Sequence, residues 1–304
     1  MRYFDLQVNG YAGVDFNREE WTVAELERAC ERLRAEGVEA ILATVITAPL
    51  ERMAARLRRL VAGREASSVI RAMIAGFHIE GPFLNAAPGY IGAHPPTAAR
   101  PADLDSMQRL LDAAAGLARI VTLAPESDAD LRVTRYLAAR SVVVSGGHCD
   151  PSTRQLRAAI DAGLTMFTHL GNGCPLQLHR HDNIIQRVLA QSEHLAIGFI
   201  ADGVHVPFEA LGNYLRCAGL ERSFVVTDAI AAAGLGPGTY PLGDQLVVVD
   251  EQLATWSADR SHLMGSAGTM PRTAANLREA LGMPDAQIER LLWHNPRQAI
   301  GETS

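Results

Sequence analysis

The chain has 304 residues, 48% of them hydrophobic and 20% charged, with a formal net charge of -6. That composition supplies a large core, and the acidic balance gives no electrostatic reason to expect nucleic acid as a partner. All 28 of its Lys and Arg positions are arginine, which excludes a Schiff-base lysine, a lysine-anchored pyridoxal phosphate and a carbamylated-lysine metal bridge.

In chain order, short β-branched or apolar runs alternate with stretches of helical period. A strand is predicted at 3–8, then a helix at 23–36 with Thr22 as its cap. Strand 40–45 precedes helix 50–62, strand 73–79 precedes helix 101–115, and strand 119–123 precedes helix 127–140. Strand 141–144 leads to helix 151–162, followed by strands 164–168 and 196–200, helix 207–218 and strand 224–227. Pro151 and Pro207, after Asp150 and Val206, are expected at first helical positions. The segment 285–300 reads as a closing helix. Eight strands alternating with helices predict an α/β fold, a (β/α)8 TIM barrel occupying 1–304 as one domain. A doubly wound open sheet is the alternative, but no G-x-G-x-x-G follows the first strand.

Residues 1–9 read as a strand and do not resemble a secretory leader, and no run of about 18 apolar residues could span a membrane. Cys30, Cys149, Cys174 and Cys217 form no C-x-x-C pair, which favours a reducing cytoplasm over a disulfide framework.

In a parallel barrel, chemistry gathers at the C-terminal ends of the strands. Here those ends read His78-Ile79-Glu80-Gly81-Pro82, Gly146-Gly147-His148-Cys149-Asp150, Thr168-His169, Ala201-Asp202-Gly203-Val204-His205 and Thr227-Asp228-Ala229. Each residue has a plain structural explanation. A histidine beside an apolar strand is more often a hydrogen-bonded core residue, Asp202-Gly203 is a common turn pair, and Asp228 could cap a helix. Five strand ends bearing such groups together are hard to explain by packing, because each buried polar group needs a partner. A glutamate, three histidines and two aspartates gather there, and two imidazoles with a carboxylate are the ligand set that leaves catalytic zinc an open position. Cys149 reads as a buried thiol, with ligand or nucleophile as the alternative.

At these motifs the chain resembles the N-acetylglucosamine-6-phosphate deacetylases of the amidohydrolase superfamily. The likeness runs from Asp5-Leu6-Gln7-Val8-Asn9-Gly10 through Gly76-Phe77-His78-Ile79-Glu80-Gly81-Pro82-Phe83, Ile91-Gly92-Ala93-His94 and Gly265-Ser266 to Asn295-Pro296. It implies that Glu80, His148 and His169 hold a divalent metal, zinc first, with iron, manganese or cobalt as alternatives. Asp228 matches the catalytic acid/base and His94 a histidine at the scissile carbonyl. His205 matches a sugar or phosphate contact and Asn172 one near the phosphate. Arg180 matches a phosphate-binding arginine often contributed across a homodimer interface. The implied partner is a small amino-sugar phosphate.

Several positions depart from that pattern. Gln7 and Asn9 stand where many amidohydrolases carry a His-x-His pair, so they read as vestigial second-metal positions, and one ion is expected. Gly171-Asn172-Gly173-Cys174 replaces the usual aromatic, Asn, Ala and Met, and His179-Arg180-His181-Asp182 also differs. The accessory β-sandwich usual in the family is expected to be missing. Three readings stay open: deacetylation of N-acetylglucosamine 6-phosphate, hydrolysis of another N-acyl sugar, N-acyl amino acid or cyclic amide, and a non-catalytic sugar-phosphate-binding barrel.

Overall fold

Strand β1 (Tyr3–Val8) buries all six of its residues, as a strand covered on both faces must. In the computed structural model, which describes residues 1–242, 245–260 and 263–302, it pairs in parallel with β2 (Val38–Ile46). The sheet continues through β3 (Ile74–Glu80), β4 (Ala118–Leu123), β5 (Val143–Gly146), β6 (Leu164–Phe167), β7 (Ala196–Ile200) and β8 (Ser223–Val226) in that order. The ring closes where Val8 bridges Ala229 in parallel and the Asn9 N–H donates to the Ala229 carbonyl at 2.7 Å. This is the (β/α)8 arrangement, and the neighbour-by-neighbour strand order rules out the doubly wound alternative.

Apolar strand residues, including Phe4, Leu6, Leu42, Ile120, Met166 and Phe224, form a packed core inside the barrel. Trp293 and Ile300 join this cluster from the C-terminal segment. A larger apolar shell joins the outer faces of the strands to α1 (Val23–Ala35), α2 (Leu50–Ala66), α3 (Ser68–Met73), α4 (Leu104–Ala113), α5 (Arg132–Ala138), α6 (Thr153–Asp161), α7 (Ile184–Leu189) and α8 (Phe208–Ala218).

Helix α1 starts where predicted. Thr22 accepts the Glu25 N–H while the Glu25 carboxylate reaches back to Thr22, a reciprocal cap that stabilises by about 1 kcal/mol. Two cap expectations are corrected. Ser152 caps α6 in a second such box with Gln155, so Pro151 lies before the helix, and Pro207 is itself the cap residue of α8. The serine wins because its hydroxyl accepts an otherwise unpaired N–H, which proline cannot do. A helix α9 (Met270–Leu281) comes first, and the closing helix read at 285–300 follows as α10 (Asp285–Glu289), a π-helical turn Arg290–His294 and α11 (Asn295–Ala299), continuous from 285 to 299. Segments with weak periodicity went unpredicted: α3, α7, α9 and an antiparallel sheet of β9 (Gly238–Leu242), β10 (Gln245–Val249) and β11 (Thr255–Ser257). Among the described residues no helix is long and apolar enough to cross a membrane.

Candidate active site

The barrel puts the ends of β3, β5, β6 and β8 around one rim, which brings Glu80, His148, His169 and Asp228 together although up to 148 positions separate them in sequence (228 − 80). One ligand atom each from Glu80, His148 and His169 lies within 4.8 Å of the others, and all three residues are buried. Glu80 Oε1 is 3.1 Å from His169 Nε2 and 3.3 Å from His148 Nε2. His94, on the loop after β3, sets its Nε2 3.3 Å from His148 Nε2 and 3.9 Å from Glu80 Oε2.

The donor chemistry fits a cation. His148 Nδ1 is 2.7 Å from the Tyr90 carbonyl, which can only accept, so that nitrogen carries the proton. In the neutral ring the Nε2 lone pair then faces the Glu80 Oε1 acceptor 3.3 Å away, with no proton between the two atoms. A divalent ion resolves that conflict, and an outer carbonyl on the remote nitrogen is the usual support of a ligating histidine. His169 Nδ1 and His94 Nδ1 are buried without a hydrogen-bond partner among the described residues.

Local backbone geometry serves the same end. Two loops press on the His148 ring. A Cβ at Gly92 would sit 3.1 Å from its Cε1, and one at Gly173 would sit 3.0 Å from its Nδ1. Both glycines have positive φ, so a side chain there would be strained as well as crowded. His148, His169 and Asp228 themselves hold positive φ (51°, 32° and 51°), a costly conformation for residues with a Cβ and one that gathers at functional sites.

Charge is tuned by burial and by neighbours. Burial opposes ionisation of Glu80, but the neighbouring imidazoles of His148, His169 and His94 outweigh it and hold its carboxyl well below the usual range. His169 is raised: burial works against its charge, and Glu80 more than compensates. His94 is pushed down to about 3 by burial and by His148, so its ring is neutral at physiological pH. Burial, reinforced by Glu80, lifts Asp228 to about 6, which suits a group that must both take and return a proton near neutrality. Burial raises the Cys149 thiol well above its ordinary value, so it is an inert buried thiol.

The other predicted residues divide into two groups. The His205 side chain is buried, and its Nδ1 lies 2.6 Å from Asp202 Oδ2. The field of Asp228 also reaches it. Asn172 is half-buried beside Gly173, and its N–H bonds the His169 carbonyl at 2.9 Å. Arg180, by contrast, is exposed on the loop after β6. Gln7 Nε2 donates to Glu80 Oε1 at 3.1 Å, and Asn9 Nδ2 donates to Asp228 Oδ1 at 2.8 Å.

Some contributors escape a sequence reading. Asp202, read there as half of a turn, also accepts the N–H groups of Val204 and His205, so it builds the turn and orients the imidazole at once. The three-residue spacing of Asp202 and His205 was the available signal. The Tyr90 carbonyl leaves no signal, because any residue type provides one.

A closed parallel barrel with a buried Glu–His–His cluster and a rim aspartate defines a metal-dependent amidohydrolase. No protein-family model matches the chain, but individual relatives do. It is 32% identical over 299 residues to N-acetylglucosamine-6-phosphate deacetylase of Bacillus subtilis, covering 98% of this chain and 74% of the relative. It is also 32% identical over 300 residues to N-acetylgalactosamine-6-phosphate deacetylase of Escherichia coli O157:H7, covering 98% and 77%. A solved point variant of N-acetyl-D-glucosamine-6-phosphate deacetylase from Mycobacterium smegmatis, in complex with N-acetyl-D-glucosamine-6-phosphate, superposes with a TM-score of 0.88 at 31% identity, over 99% of this chain and 77% of that one. The chain belongs to the N-acetylglucosamine-6-phosphate deacetylase family.

Proposed function

We propose that the protein hydrolyses the acetamide of N-acetylglucosamine 6-phosphate to glucosamine 6-phosphate and acetate. The observation that carries this reading is the coincidence of near-full-length kinship to sugar-phosphate deacetylases with a rim that joins Glu80, His148 and His169 to Asp228. Glu80, His148 and His169 would hold one divalent ion, zinc by the nitrogen-rich donor set. When bound, the ion supplies Lewis acidity to water and to the acyl carbonyl. Asp228 takes the proton of the attacking water and returns it to the departing amine, so one carboxylate serves both half-reactions. His94, neutral and buried beside the cluster, donates to the oxyanion that develops on the carbonyl. His205, held by Asp202, and Asn172 face the sugar phosphate.

Arg180 and the fully exposed Leu176 share the loop after β6. A homodimer would bury that leucine and could deliver the arginine to a neighbouring site. Residues 1–304 are read as one barrel domain with β9–β11 inserted after its last strand, and the scattered free cysteines favour a reducing cytoplasm.

The kinship does not discriminate the hexosamine, since the N-acetylglucosamine-6-phosphate and N-acetylgalactosamine-6-phosphate deacetylases named above are equally identical to this chain. Acetate release should therefore be measured on both N-acetylhexosamine 6-phosphates and on their unphosphorylated forms. Turnover of the phosphorylated gluco sugar is expected, and no release from any of them would remove the reading. Asp228→Asn should lower kcat by about 10²–10⁴-fold with metal content preserved, whereas His148→Ala should lose metal and activity together. If Arg180 grips the phosphate, Arg180→Ala should weaken the phosphorylated substrate roughly 10- to 100-fold and spare the unphosphorylated one.

A further inference from the structure

Strand β1 turns every second side chain the same way, and three of these in succession are tied to polar residues near the ends of other strands. Asp5 Oδ2 accepts the Thr227 hydroxyl at 2.5 Å, one residue before Asp228. Gln7 Nε2 donates to Glu80 Oε1 at 3.1 Å, and Asn9 Nδ2 donates to Asp228 Oδ1 at 2.8 Å. An ionised carboxylate only accepts, so each amide must present its nitrogen, and both amide orientations follow from chemistry. Gln7 and Asn9 are 2% and 8% exposed, so water does not compete for these bonds.

We propose that Gln7 and Asn9 are positioning residues that divide the site between them, Gln7 orienting Glu80 for the metal and Asn9 orienting Asp228 for proton transfer. The proposal rests on the reaction assigned above. It replaces the idea of two vestigial positions with a present task. The terminal torsion of a glutamate is soft, and Oε1 of Glu80 already faces two imidazoles. A donor fixed on a barrel strand holds that carboxylate plane in place. At Asp228 the restraint is double. The N–H groups of Asn9 and Gly10 both bond the Ala229 carbonyl, at 2.7 and 3.2 Å, which pins the backbone beside the left-handed Asp228. The Asn9 amide engages Oδ1 and leaves Oδ2 to carry the proton.

The test separates the two tasks. Gln7→Leu and Asn9→Leu are prepared beside the wild type, and zinc affinity is read by competition with a chromophoric chelator, without substrate. Gln7→Leu should weaken zinc by about 10- to 100-fold, the usual effect of removing an outer hydrogen bond from a ligand, and recover turnover at saturating zinc. Asn9→Leu should keep zinc affinity within about threefold yet lower kcat roughly 10- to 100-fold at near-constant KM. The acid limb of its kcat profile should move to higher pH, because the charged form of Asp228 loses a donor. If both variants lose zinc, turnover and thermal stability in parallel, or if neither loses its assigned property, the proposal is overturned. Gln7→Met and Asn9→Ala replace any leucine variant that does not fold. Should the wild type release no acetate at all, the reaction reading fails. The zinc titration then still decides Gln7, and a crystal structure of Asn9→Leu decides whether the Asp228 rotamer depends on Asn9.

Discussion

Asp202 and His205 form an ion pair with a definite pH signature. Burial opposes charge on both, yet their mutual bond lowers Asp202 below its ordinary 3.8 and raises His205 above its ordinary 6.5. A lowered carboxylate stabilises the fold above its unfolded value and loses that contribution as pH falls. A raised imidazole stabilises below its unfolded value and loses it as pH rises through the folded one. The pair therefore contributes fully between about pH 4 and 6.5 and declines on either side. Asp202→Asn should remove about 1.5–3 kcal/mol within that window, the scale of a charge-assisted hydrogen bond, and less outside it. Urea denaturation at a series of pH values checks this, and a uniform loss across pH would count against the ion pair. Asp202 was legible in the sequence only as a turn residue. Its spacing to His205 suits both a turn and an ion pair, and only the coordinates show both in use.

Between elements, Arg187 on α7 stands out. Its Nε reaches Asp182 at 2.6 Å, and its Nη1 reaches Asp150 at 2.7 Å and the Pro151 carbonyl at 3.0 Å. Burial, reinforced by the Asp150 charge, pushes the Tyr90 phenol up to about 12, and the Tyr90 carbonyl holds the His148 ring. One guanidinium thus fastens the loop after β6, with Asn172 and Arg180, to the loop after β5 that carries His148. Arg187→Met should raise KM by about two- to fivefold, as partly exposed pairs allow, and quicken proteolysis of 171–183 with zinc content unchanged. A changed zinc content with unaltered KM would place Arg187 with the metal instead of the loop. The barrel strands were predictable because each is an apolar run, whereas six-residue α7 is too short to show a period.

For the molecule as a whole, a metal that binds only the folded barrel must couple to its stability. Chelation should lower Tm by roughly 5 °C relative to protein in zinc at about 100 times its dissociation constant, and zinc should restore it in a concentration-dependent way. Differential scanning fluorimetry with and without chelator measures the effect, and an unchanged Tm would argue against a resident ion.

Residue types and local order carried the barrel, the ligand candidates at its strand ends and the family likeness, since apolar periodicity and motifs are contiguous in the chain. Partnership was beyond their reach. Gln7 meets Glu80 across 73 positions and Asn9 meets Asp228 across 219, and nothing local in the sequence encodes such a distance. Those pairs exist because the parallel register and the closure of β1 on β8 bring the ends of distant strands onto one rim, where buried donors must find acceptors. The same closure turned two amides that look like lost metal ligands into hydrogen-bond donors for the carboxylates beside them.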